Sequence, residues 1–82
     1  MITKELLIEK GFECRYSDES IQEYIRCTNN SFIRIAYSDM LGFEIEVRNT
    51  DNNLCFTATG YFQFSKSKLN DAIKICNIDF EL

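Results

Sequence analysis

Phe43, Ile45 and Val47 alternate with Glu44, Glu46 and Arg48. This is the two-residue period of a strand with one face dry and one face wet. The same reading extends along the middle of the chain. Phe12, Cys14 and Tyr16 alternate with Glu13 and Arg15, and the polar run Ser17, Asp18, Glu19, Ser20 then makes a loop. Strands follow over Ile21 to Thr28, Phe32 to Tyr37, Phe43 to Arg48 and Leu54 to about Phe64, the last bent or bulged at Gly60 or broken there into two.

Helices are expected at the two ends. Thr3 reads as an N-cap for residues 4 to 10, with Glu5 complementing the helix dipole, and Ile2 and Leu7 at staple spacing. Gly11 supplies a left-handed stop, and Phe12 can fold back onto Leu7. Near the other end Ser65 is a cap and Phe64 with Leu69 repeats the staple. Leu69, Ala72, Ile73 and Cys76 form a narrow apolar stripe, and Asn77 is the stop. Ile78, Phe80 and Leu82 then alternate with Asp79 and Glu81, which allows a short closing strand.

Hairpin registers follow from which residues share a face, because a slip of one residue turns a strand over. Keeping Ile45 and Val47 with Leu54, Phe56 and Ala58 needs a four-residue connection, read as Asn49 to Asn52. Keeping Ile25 and Cys27 with Ile33 and Ile35 needs three residues, read as Asn29-Asn30-Ser31. Ser38 to Gly42 joins the third and fourth strands. The fold class expected is α+β: an α-β-β-β-β-α order with an antiparallel sheet of four to five strands and both helices on one face. Residues 1–82 make one domain with no linker, low-complexity stretch or repeat.

Composition narrows the chemistry. A chain of 82 residues buries only about 60–65% of the surface its unfolded form exposes, which allows one core. The sequence is 45% hydrophobic, enough to fill it. No histidine is present, so His-based triads, Cys-His dyads and His-ligated metals are out. The glycines at 11, 42 and 60 form no phosphate cradle. Cysteines at 14, 27, 55 and 76 form no CxxC pair. Cys14, Cys27 and Cys76 fall on expected core faces as small hydrophobes, while Cys55 faces outward as the candidate reactive thiol. With no signal-peptide pattern and no apolar span, the chain reads as cytoplasmic with reduced thiols, and the Asn29-Asn30-Ser31 sequon as turn chemistry.

Parity leaves one surface for function. It places Tyr24, Arg26, Phe32, Arg34, Glu44, Glu46, Arg48, Thr57, Thr59 and Tyr61 on the open sheet face. Aromatics with Arg amid mixed charge are enriched where proteins meet. A net charge of −4 argues against a phosphate-binding platform, although aromatics on a sheet stack bases in some RNA-binding folds. Glu44 and Glu46 lie two apart on one face and keep a carboxylate-based enzyme or a hard-cation site as an alternative. Asp51-Asn52-Asn53 lacks the spaced acids of a calcium loop and reads as a turn. Exposed sheet edges leave a homodimer open.

The stretch Thr3-Lys-Glu-Leu-Leu-Ile-Glu-Lys-Gly-Phe12 and the ending Leu69 to Ile78 resemble small α+β proteins carried by phages and mobile elements of low-GC or gut bacteria. The resemblance lies in helix caps and apolar spacing across the general layout, and carries over no functional residue. It implies a phage or accessory-genome origin and a non-enzymatic protein that binds and blocks a host protein, as anti-CRISPR and other counter-defence inhibitors do. The expectation is a protein-binding module with no cofactor, no metal and no membrane association. Its partner would be a bacterial defence or regulatory protein.

Overall fold

The computed structural model describes residues 2–18, 20–38, 42–60 and 65–82. Helix α1 (Lys4–Glu9) leads into strands β1 (Glu13–Ser17), β2 (Ile21–Cys27), β3 (Ser31–Ser38), β4 (Gly42–Asn49) and β5 (Leu54–Gly60), and helix α2 (Lys66–Ile75) follows. The strands form one antiparallel sheet in chain order, β1-β2-β3-β4-β5.

Both helices begin and end as their caps dictate. Thr3 Oγ1 accepts the Leu6 N–H at 3.1 Å, and Ser65 Oγ accepts that of Lys68 at 3.1 Å. Each helix closes in a Schellman motif on a left-handed residue, Gly11 at φ 90° and Asn77 at φ 56°. Phe12 N–H reaches the Leu7 carbonyl at 2.9 Å, and Ile78 N–H reaches that of Ile73 at 3.1 Å.

The core is one cluster. Ile33, Ile35, Ile45 and Val47 from β3 and β4 join Leu7 and Phe12 at one end of the chain, and Leu69, Ala72, Ile73 and Cys76 at the other. Asn49, the last residue of β4, is buried among them. Ile78 and Leu82 are buried as well, with Phe80 packed alongside. The apolar alternation at 78–82 therefore describes burial correctly, yet no strand forms among these residues. The Asn70 side chain takes the Leu82 N–H on Oδ1 at 2.8 Å and donates to its carbonyl at 3.5 Å. Groups that a sheet ladder would use are satisfied by a helix side chain instead.

Three expectations need correction. Cys27 pairs with Phe32, and Thr28 N–H meets the Ser31 carbonyl at 2.9 Å, so only Asn29 and Asn30 lie inside the β2–β3 turn. Directly paired residues share a face. Tyr24 therefore lies with Ile35 and Arg26 with Ile33, opposite to the expected side, while Ile25 and Cys27 point the other way. In β1 a bulge at Arg15 breaks the alternation, setting Tyr16 against Glu23 while Cys14 stays opposite Tyr24. The β4–β5 connection has the expected four residues but runs from Thr50 to Asn53, one step later than expected, with Asn53 at φ 60°. The β3–β4 connection, the strand beyond Gly60 and the Phe64 staple fall outside the described residues.

Candidate functional site

The face turned away from the core cluster carries an ionic lattice. Arg34, central on β3, donates from Nε to Glu23 Oε2 on β2 at 2.7 Å and from Nη1 to Glu44 Oε1 on β4 at 2.9 Å. One guanidinium thus ties three strands together. Its fork of fixed donors suits this double engagement. The hydrogen bond to Glu23, joined by the Glu44 contact, outweighs the opposing effect of burial and holds Arg34 still more firmly protonated than usual. Beside it Arg48 forms an ion pair with Glu46 on the same strand.

Apolar side chains lie between the charges. Phe32 sits opposite Arg48 and Cys27, Ile25 opposite Arg34, and Ala36 opposite Glu44. Ile21 is 40% exposed and Tyr16 53% exposed. A shallow cleft of about 210 Å³ opens near one end of the face, where Ile21, Ala36 and Thr59 meet Arg34 and Glu44. Cys55, Thr57 and Thr59 continue the face onto β5, paired with Arg48, Glu46 and Glu44.

Of the residues expected on this face, Phe32, Arg34, Glu44, Glu46 and Arg48 are brought together, and Thr57 and Thr59 lie beside them. Tyr24 and Arg26 are not. Tyr24 is 1% exposed in the core, its hydroxyl donating to Gln22 Oε1 at 2.7 Å, and burial raises its pKa. Arg26 lays its guanidinium over the Phe80 ring, 3.8 Å from the centroid, and so covers the rim of the core. Tyr61 lies outside the described residues.

Glu23, Ile21 and Tyr16 belong to the face and escaped the sequence reading. The usable signal was Asn29-Asn30 flanked by Thr28 and Ser31, a two-residue hairpin turn. Read so, it brings Glu23 to Arg34.

The thiols divide differently from expectation. Cys76 is buried, its Sγ directed at the Val47 carbonyl at 3.8 Å, and burial pushes its thiol up. Cys14, Cys27 and Cys55 are all exposed. Cys14 and Cys27 thus leave the core expected for them, Cys14 because it lies on the edge strand and Cys27 because β2 is turned over. As for the carboxylates, Glu44 and Glu46 each face an arginine. Among the described residues no three Cys, Asp or Glu side chains gather in a metal-holding group, and no helix is long and apolar enough to cross a membrane.

No protein-family model matches the chain, and neither a curated protein nor a solved structure matches it.

Proposed function

We propose that this chain is a protein-binding module whose contact surface is the outer face of the sheet. The reading rests on the Glu23–Arg34–Glu44 lattice, which fixes charges of both signs across three strands with Phe32, Ile25 and Ala36 between them. A surface whose polar groups are already held in place loses little conformational freedom when a partner docks. Mixed charge supplies registry, and the aromatic and aliphatic side chains supply contact area. Arg34 and Arg48 are engaged by carboxylates, so the face offers no row of unpaired cations to a nucleic-acid backbone. Both helices are inferred to cover the opposite face, since their apolar residues share one cluster with Ile33, Ile35, Ile45 and Val47. The resemblance to phage-borne proteins gives the partner class, a bacterial defence or regulatory protein blocked by being covered.

Affinity capture from a bacterial lysate tests the reading. The native chain is expected to retain a partner that the Arg34→Glu, Glu46→Arg double variant loses, with unchanged circular dichroism. Phe32→Ala, which leaves the ion pairs alone, is expected to weaken the same capture. Equal retention by both variants would overturn the assignment of the face, and salt-sensitive capture of single-stranded nucleic acid would overturn the partner class.

A further inference from the structure

The two outer edges of the sheet are built differently. β1 is five residues long, carries Glu13 and Arg15, and is interrupted by a bulge. Charge, brevity and bulges are what keep an edge strand from pairing with another chain. β5 has none of these. Its seven residues run against β4 from Leu54 to Gly60 without a register shift, and they include no charged residue and no proline. No charged residue occurs anywhere between Asp51 and Lys66, in a chain that is 27% charged. Among the described residues no strand pairs with the outer edge of β5.

The direction of its free groups can be worked out. Thr50 N–H bonds to the Asn30 carbonyl at 3.0 Å, on the β3 side of β4. Backbone groups alternate along an antiparallel strand, so those of Asn49, Val47, Ile45 and Phe43 point toward β5. Their partners Leu54, Phe56, Ala58 and Gly60 point back. Cys55, Thr57 and Thr59 therefore aim their N–H and C=O groups outward.

We propose that β5 pairs antiparallel with β5 of a second copy, about a two-fold axis at Thr57. In that register Thr57 faces Thr57 of the second copy, and Cys55 faces its Thr59. The three outward-pointing residues thus match one another and exchange about six hydrogen bonds. On the core side Phe56 meets Ala58, and Leu54 meets Gly60. Like charges on directly opposed strands are unfavourable, and a chain of net charge −4 repels its own copy at most contacts. β5 brings no charge to the seam, so a second copy fits it. The contact is isologous and closes after two copies. It uses the backbone edge of β5 and leaves the proposed partner-binding face, which Cys55, Thr57 and Thr59 border, uncovered.

Sedimentation velocity over a concentration series tests the seam. The native chain is expected to reach twice its 9.6 kDa mass as concentration rises. Thr57→Lys, which sets two ammonium groups against each other at the axis, is expected to stay monomeric with unchanged circular dichroism. Amide exchange on the native chain gives a second readout that does not depend on how a variant folds. Amides of Cys55, Thr57 and Thr59 are expected to slow by about tenfold or more on dimerisation, while those of Phe56 and Ala58 are protected at every concentration. A native chain that stays monomeric throughout overturns the proposal. So does a dimer whose Cys55, Thr57 and Thr59 amides exchange at the monomer rate.

Discussion

Asn49 donates from Nδ2 to the carbonyl oxygen of Cys76 at 2.8 Å, and also reaches that of Asn77 at 3.1 Å. The last residue of β4 thus satisfies carbonyls left over where α2 ends. Its Oδ1 accepts the Asp51 N–H at 3.0 Å, so the same amide starts the β4–β5 turn. Asn49 is 4% exposed, which makes this a dry junction between sheet, turn and helix.

Asn49→Leu keeps comparable volume but removes both donor and acceptor, leaving buried backbone groups without partners. The expected loss is about 1–3 kcal/mol of unfolding free energy, measured by urea denaturation with an unchanged m-value. A loss within the error of the native measurement would mean that water replaces the amide there.

Tyr37 gives the fold an alkaline limit. Burial, with a smaller contribution from Tyr24, pushes its hydroxyl up to about 12, against 10.0 for an unburied tyrosine. The folded state disfavours the phenolate. Its advantage is therefore complete below pH 10 and is lost as the pH rises through about 12. Phenolate absorbance should show one tyrosine ionising last, and Tyr37→Phe should remove that step and flatten the alkaline loss of stability.

Asp18 acts at the acid end. Its carboxylate accepts the N–H groups of Ser20 and Ile21 on Oδ1, each at 2.8 Å, and the Tyr16 hydroxyl on Oδ2 at 2.9 Å. The bond from Ser20, then those from Ile21 and Tyr16, hold it below the usual carboxylate value of 3.8. A lowered value stabilises the fold above that pH, and the contribution fades as the pH falls through the folded value. Melting temperature should fall more steeply with acid in the native chain than in Asp18→Asn, whose amide oxygen can still accept both N–H groups.

Phe80 joins the C-terminal segment to the sheet by two aromatic contacts. Its ring centroid lies 6.2 Å from that of Phe12, tilted by 54°, and the Arg26 guanidinium lies over it. Phe80→Leu should cost about 1 kcal/mol through the lost ring contacts. Phe80→Ala should cost about 2–3 kcal/mol, below the range for a fully buried ring because Phe80 is only partly covered. Equal losses in thermal denaturation would show that the ring contacts, and not buried area, decide stability at this site.

Local signals read well where chemistry fixes them within a few residues. Thr3, Gly11, Ser65 and Asn77 mark the helix ends because capping needs a particular side chain or a particular φ. Faces read well in β4, where hydrophobic and charged residues alternate cleanly, but badly in β2. In β2 the odd positions carry Ile21, Ile25 and Cys27 while the even ones carry Tyr24 between Gln22 and Arg26, so the pattern alone points to the wrong face. The turn chooses, and reading three residues where two lie inside it exchanged Tyr24 for Ile25. The bulge at Arg15 left no trace in the alternation. Within the candidate site Arg34 and Glu44 were legible from β3 and β4, whereas Glu23 depended on the misread turn.

The meander order of the sheet also bears on how fast the chain folds. Each strand pairs only with its neighbours in sequence, so the ladders close short loops and contact order stays low. Hairpins can form before any distant contact is made. The longer closures are those that seat α2, such as Cys76 against Val47, 29 residues apart. Stopped-flow refolding on about the millisecond scale is then expected, with Asn49→Leu chiefly accelerating unfolding if α2 docks after the sheet has formed.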